Sequence, residues 1–148
     1  MIEAAGSGFL IAVLWMDLIF DVQVLRHRRS ADVPEPVLAS IAAYYHRATT
    51  ASRPMSLVIA AVMVILLAAL AFHAVRGAAP GWLLALSAVL AGGPVLLALL
   101  RTVRHAVTLG HRTGTLAEQS RLARSICRDH LWCLTSMSAF LALWLSIS

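Results

Sequence analysis

The chain has 148 residues, 60% hydrophobic and 13% charged, with a mean hydropathy of +0.82 and a formal net charge of +5. Soluble domains carry about 25% charged residues, so the composition excludes a water-soluble enzyme. The basic balance suits an anionic membrane surface rather than nucleic acid.

In chain order, the first apolar segment runs over 7–25. It holds two aspartates, Asp17 and Asp21, one helical turn apart and therefore on one helix face. A carboxylate inside a bilayer costs about 2.5–3.5 kcal/mol on insertion scales, so each is expected to meet a partner or a site. The segment lacks a basic flank before it and begins with Glu3, which argues against a cleaved signal peptide. Three further segments, over 54–75, 81–104 and 126–147, approach the ~20 apolar residues that cross a ~30 Å hydrocarbon layer. The expected fold is an all-α membrane protein, a bundle of four transmembrane helices in one domain.

All twelve basic residues are arginine. Eleven of them fall in or beside the connections over 26–53 and 105–125, and Arg76 alone lies between the second and third spans. Positive charge stays inside, so both connections are expected in the cytoplasm and both termini outside. The lack of lysine beside abundant alanine and arginine fits a GC-rich genome, hence a bacterial cytoplasmic membrane.

Helices are expected to extend past the bilayer on the cytoplasmic side. Thr115 and Glu118 have the spacing of a capping box. The uninterrupted stretch over 116–147 would be about 48 Å long at ~1.5 Å per residue, against ~30 Å of hydrocarbon. Pro34 and Pro36 suit the start of a cytoplasmic helix over 37–50, and Pro54 separates it from the second span. Gly92, Gly93 and Pro94 predict a kink within the third span, which should end at Leu109 with Gly110 as its cap. The connection over 77–81 is short and expected outside. Cys127 and Cys133 are six residues apart on one helix, too far for a disulfide.

Polar residues from all four spans gather toward the cytoplasmic ends. Asp17, Asp21, His105 and His130 supply two carboxylates and two imidazoles, a set suited to acid–base work or to one or two ions of iron, copper or zinc. His105 and His130 are also the two residues that haem would require. Arg101 and Arg124 suit the polar end of a substrate, and Arg47, Tyr45 and Trp15 could line its pocket. The structural alternative places Arg101, Arg104, Arg124 and Arg128 as ion-pair partners of both aspartates. Tyr44 and Tyr45 read equally as headgroup anchors, Trp15 as packing, His73 as an interfacial residue, and His27 and His111 as solvated.

The four-span order and the stretch over 47–54, Arg-x5-Arg-Pro, are similar to small anthrone-oxygenase-like membrane proteins. The likeness covers architecture and transfers no residue. It implies a membrane-embedded enzyme for a hydrophobic or lipid-like substrate at the cytoplasmic leaflet, with redox or oxygenase chemistry. The alternative is a small transporter or an accessory subunit, alone or in a homo-oligomer, using the same charges as a proton-coupled or inter-subunit site.

Overall fold

The computed structural model describes residues 1–77 and 79–147. Helix makes up 86% of the chain, and no strand occurs among the described residues. Helix α1 spans Ile2–Asp21 and tightens into a 3₁₀ turn, Val22–His27. After a loop, α2 spans Glu35–Thr50, with Pro36 in its first turn and a start two residues earlier than the sequence suggested. Helix α3, Arg53–Arg76, has Pro54 in its first turn and ends on Gly77 at φ +59°, a left-handed cap that glycine adopts without strain. Residue 78, within the short connection expected outside, lies outside the described residues.

Helix α4, Gly81–Leu97, passes through a π turn, Ala98–Thr102, into α5, Val103–Gly110. Pro94 is accommodated inside α4, and the irregularity expected there falls one turn later. There the Thr102 hydroxyl lies 3.4 Å from the Leu97 carbonyl. Helix α6, Leu116–Leu145, begins with the expected capping box: Glu118 N donates to Thr115 Oγ1 at 3.3 Å, and Thr115 N donates to Glu118 Oε2 at 2.7 Å.

Three stretches are long and apolar enough to cross a membrane: Ile2–His27, Arg53–Arg76 and Gly81–Gly110. The fourth expected span lies on α6, which is long enough but interrupted by Arg128, Asp129, His130 and a row of hydroxyl residues. Asp129, His130 and Ser136 among them are buried, because α6 is the central helix, whereas Arg128, Thr135 and Ser138 are exposed. Helix α6 packs on α1, α4 and α5, while α1 also meets α3, α3 meets α4, and α2 lies along α5. The outward faces of α1, α3 and α4 carry exposed apolar side chains such as Trp15, Ile19, Leu57, Val64 and Val89, the surface expected of helices facing lipid.

The core is split into two apolar layers. One holds Val24, Leu38, Ile41, Leu109 and Ile126 around α2, α5 and the first half of α6. The other holds Leu10, Leu66, Ala91, Met137 and Phe140 in the apolar half. On α1 the residues between Leu10 and Val24 include Asp17 and Asp21. On α6 those between Ile126 and Met137 include Asp129 and His130. Thr102 falls in the matching interval between Ala91 and Ala106. A polar stratum therefore lies between the two cores, and the site is built there.

Candidate functional site: a buried aspartate, histidine and tyrosine cluster

His130 is the hub. Its Nδ1 lies 2.7 Å from Asp21 Oδ2, and Asp21 is fully buried. Asp21 Oδ1 accepts a hydrogen bond from the Tyr45 hydroxyl at 2.7 Å. An ionised carboxylate only accepts, so the short contact assigns a proton to His130 Nδ1. In the neutral ring this leaves Nε2 with its lone pair free. Nε2 faces Asp17 Oδ2 at 4.0 Å. Asp17 Oδ1 accepts from the Tyr44 hydroxyl at 2.5 Å. Two carboxylates thus flank one imidazole, and each carries a tyrosine hydroxyl.

The two halves differ in burial. Asp21, Tyr45 and His130 are buried, whereas the Asp17 side chain is 18% exposed and Tyr44 is half-buried. The Tyr44 ring stacks on Phe20, with centroids 4.2 Å apart and planes 12° apart. Burial, and then the charge of the bonded aspartate, push both tyrosine hydroxyls well above their ordinary value, so both remain donors across the physiological range.

Local sequence explains the convergence. Asp17 and Asp21 share a face of α1 through their i, i+4 spacing. Tyr44 and Tyr45 are neighbours on α2, splayed about 100° around the helix, so one reaches each aspartate. Helix α2 is held against α5 by a close backbone crossing at Gly110, where a Cβ would stand 2.9 Å from the His46 backbone nitrogen. The loop before α2 is tied to α6: Val33 N donates to Ser120 Oγ at 2.9 Å, and Arg124 donates to the carbonyls of His27, Ser30 and Ala31.

Four of the residues singled out in the sequence, Asp17, Asp21, Tyr45 and His130, come together here. The others do not join them. His105 lines a separate groove between α5 and the start of α6. Arg101 pairs with Asp129, Nε to Oδ2 at 3.3 Å, and donates to Ser125 Oγ at 2.6 Å. Arg124 serves as a clamp on the 27–31 loop. Arg47 is exposed and bonds its own helix at the Ala43 carbonyl. Trp15 is 64% exposed on the lipid-facing side of α1. The arginine network expected around the aspartates is likewise replaced, since the basic side chain facing both Asp17 and Asp21 is His130. Arg101 and Arg124 are held by other groups, Arg104 folds back along its own helix, and Arg128 is exposed.

Asp129 escaped the sequence reading, in which Tyr44 stands first as a headgroup anchor, with a hydrogen bond into the polar site as the alternative. Asp129 is buried, pairs with Arg101 and lies 3.3 Å from the Thr102 hydroxyl. Its signal was present, because a carboxylate within an otherwise apolar helix poses the same question as Asp17 and Asp21. Tyr44 read as a headgroup anchor, and only the docking of α2 onto α1 turns it inward.

As a metal set the cluster is sparse. His130 Nδ1 is committed to Asp21, the arrangement of a ligand histidine held by a supporting carboxylate, but Nε2 then meets Asp17 alone. Among the described residues no group of three or more histidine, cysteine, aspartate or glutamate side chains is disposed to hold a metal ion. Cys127 and Cys133 are free and buried. Comparison with protein families, with curated proteins and with solved structures found no match to this chain.

Proposed function

We propose that the cluster around His130 is the acid–base centre of a membrane-embedded enzyme that acts on a hydrophobic substrate entering from the lipid at the cytoplasmic leaflet. The observation carrying this reading is the 2.7 Å His130–Asp21 pair, buried between two apolar cores with Nε2 turned toward the partly exposed Asp17. In this reading the chain is a four-span bundle of a bacterial cytoplasmic membrane with both termini outside. Helix α6 makes the fourth crossing with its buried polar residues, Asp129, His130 and Ser136, turned into the bundle rather than to lipid.

The chemistry follows from the hydrogen bonds. His130 Nε2 takes a proton from an acidic C–H or O–H of the substrate. The imidazolium that results is stabilised by Asp21 at Nδ1 and by Asp17 near Nε2, and Tyr45 holds Asp21 in the orientation that keeps the tautomer correct. The imidazolium proton exchanges with water and Nε2 then delivers a proton to a second position, so the net reaction is an isomerisation and needs no external oxidant or reductant. Asp17 and Tyr44 form the outer, partly exposed pair, and parting that pair gives the substrate access. The exposed apolar face of α1 beside Asp17, with Trp15, Met16 and Ile19, suits a greasy substrate.

Proton exchange can be followed without naming the substrate. Purified protein is incubated in D2O with a total hydrophobic extract of bacterial membranes, and the extract is searched by mass spectrometry for compounds that gain deuterium at carbon. Exchange that depends on the wild-type protein and vanishes in a folded His130→Gln variant is the expected result. No wild-type-dependent exchange, or equal exchange with the variant, refutes the acid–base reading. Elemental analysis of the same preparation separates the metal alternative: near-stoichiometric iron, copper or zinc lost in His130→Ala would make His130 a ligand.

One observation favours a second reading, a proton-coupled transporter. A second carboxylate–imidazole pair, Glu3 Oε1 to His73 Nε2 at 2.8 Å, lies at the opposite end of the bundle, with Glu3 buried. Proton flux into dye-loaded proteoliposomes that is abolished by His73→Gln would favour transport.

A further inference from the structure

The groove between α5 and the start of α6 carries a feature that the acid–base centre does not use. It is open, encloses about 540 Å³ and is lined by His105, Glu118, Arg121, Leu122 and Ser125 among others. Both signs of charge are present. Arg121 is exposed one turn along α6 from Glu118, a spacing that puts their Cβ atoms about 5–6 Å apart. Glu118 accepts both Thr115 hydrogen bonds on Oε2, which leaves Oε1 for another donor. Ser125 Oγ accepts from Arg101 at 2.6 Å, so its own proton is available to a ligand. His105 lies on the α5 wall, and its buried Nδ1 has no hydrogen-bond partner in the protein.

Depth identifies the setting. Gly81–Gly110 is a 30-residue helical stretch, about 45 Å long at ~1.5 Å per residue, roughly 15 Å more than the hydrocarbon layer. The part from Arg101 onward therefore stands at headgroup level. Leu96 and Leu100, before it, and Val103, just after Arg101, are 58%, 67% and 51% exposed, apolar surface that continues down to this depth.

We propose that this groove seats the headgroup of an aminophospholipid, a phosphatidylethanolamine, with its phosphate on Arg121 and the Ser125 hydroxyl, its ammonium on Glu118 Oε1, and its acyl chains in the adjoining hydrocarbon. A purely anionic lipid would leave Glu118 facing its phosphate, and a choline headgroup has no N–H to donate. The groove thus matches a ligand that carries both charges and a primary ammonium. This assignment is independent of the chemistry at His130 and rests only on the cytoplasmic end of the bundle meeting the headgroups.

The experiment is native mass spectrometry of the detergent-solubilised full chain, titrated with phosphatidylethanolamine, phosphatidylcholine and phosphatidylglycerol of matched acyl chains. An exposed ion pair contributes modestly, so the ethanolamine lipid should bind up to about fivefold more tightly than the other two. Glu118→Gln, which keeps a capping-box residue at that position, should reduce the ethanolamine lipid to the level of the choline lipid. Arg121→Gln should weaken all three, and Arg28→Gln, in a different basic loop, should change none. Equal binding of the three lipids, or tightest binding of the glycerol lipid, overturns the proposal. So does displacement by free phosphoethanolamine at the same concentration as the lipid, which would mark a soluble ligand. Variants are compared after circular dichroism confirms wild-type helicity.

Discussion

Removing the Tyr45 hydroxyl tests whether burial or bond length governs the strength of the cluster. Tyr45→Phe deletes one donor and leaves Asp21 Oδ1 buried without it. A hydrogen bond to a charged group contributes about 1.5–3 kcal/mol, and the fully buried Asp21 gives no access for water to replace it. A double-mutant cycle of Tyr45→Phe with Asp21→Asn should therefore return a coupling of about 1.5–3 kcal/mol. The matching cycle of Tyr44→Phe with Asp17→Asn deletes a shorter bond, 2.5 Å against 2.7 Å. Asp17 is partly exposed, however, and water can replace the lost donor, so that coupling should fall to about 0.5–1 kcal/mol. The Tyr44–Phe20 stack survives in Tyr44→Phe, which keeps packing out of the comparison. Both cycles are measured by reversible unfolding in mixed micelles, followed by circular dichroism. A larger coupling for the Tyr44–Asp17 pair, or less than about 0.5 kcal/mol for Tyr45–Asp21, would refute the assignment of the buried pair as the anchor of the site.

Other perturbations follow from the same contacts. Gly110→Ala places a methyl 2.9 Å from the His46 backbone and should destabilise the fold by about 1–3 kcal/mol, measured in the same unfolding assay. Gly93→Ala meets only the tip of Trp132, 2.8 Å away on a side chain that is 47% exposed, so it should change stability by less than about 1 kcal/mol. Arg101→Met leaves buried Asp129 with Thr102 alone. Since Arg101 is 39% exposed, the loss should be about 1–3 kcal/mol rather than that of a fully buried pair, and Arg101→Met with Asp129→Leu should recover most of it. At the start of α6, the bonds from the Thr115 backbone and hydroxyl hold the Glu118 carboxyl below its ordinary value of 4.5. Its contribution is therefore complete above that pH and is lost as pH falls through the lowered value. Amide exchange in the first turn of α6 should quicken with acid in that window in wild type and show no such dependence in Glu118→Gln.

Much of this molecule is local in origin and so was legible in one dimension. Apolar runs, proline and glycine positions, the Thr115 capping box and the asymmetry of the arginines each depend on residues a few positions apart, and they set the helices and their membrane character. Asp17 and Asp21 stand out for the same reason, because a carboxylate in an apolar helix is anomalous wherever the helix goes. Partnership is a different matter. His105 and His130 look equivalent along the chain, yet the rotation of α5 turns His105 into a lateral groove while α6 turns His130 inward. The arginines have the right charge and depth for the aspartates, but long flexible side chains take whichever acceptor lies nearest: Asp129 for Arg101 and three loop carbonyls for Arg124. Tyr44 and Tyr45 became site residues only when α2 docked across the inner end of α1. The sequence alone determined which residues have to be satisfied inside this bundle. Only the packing of α1, α2 and α6 decided who satisfies them, because hydrogen bonds between helices depend on rotation and crossing, which no local pattern encodes.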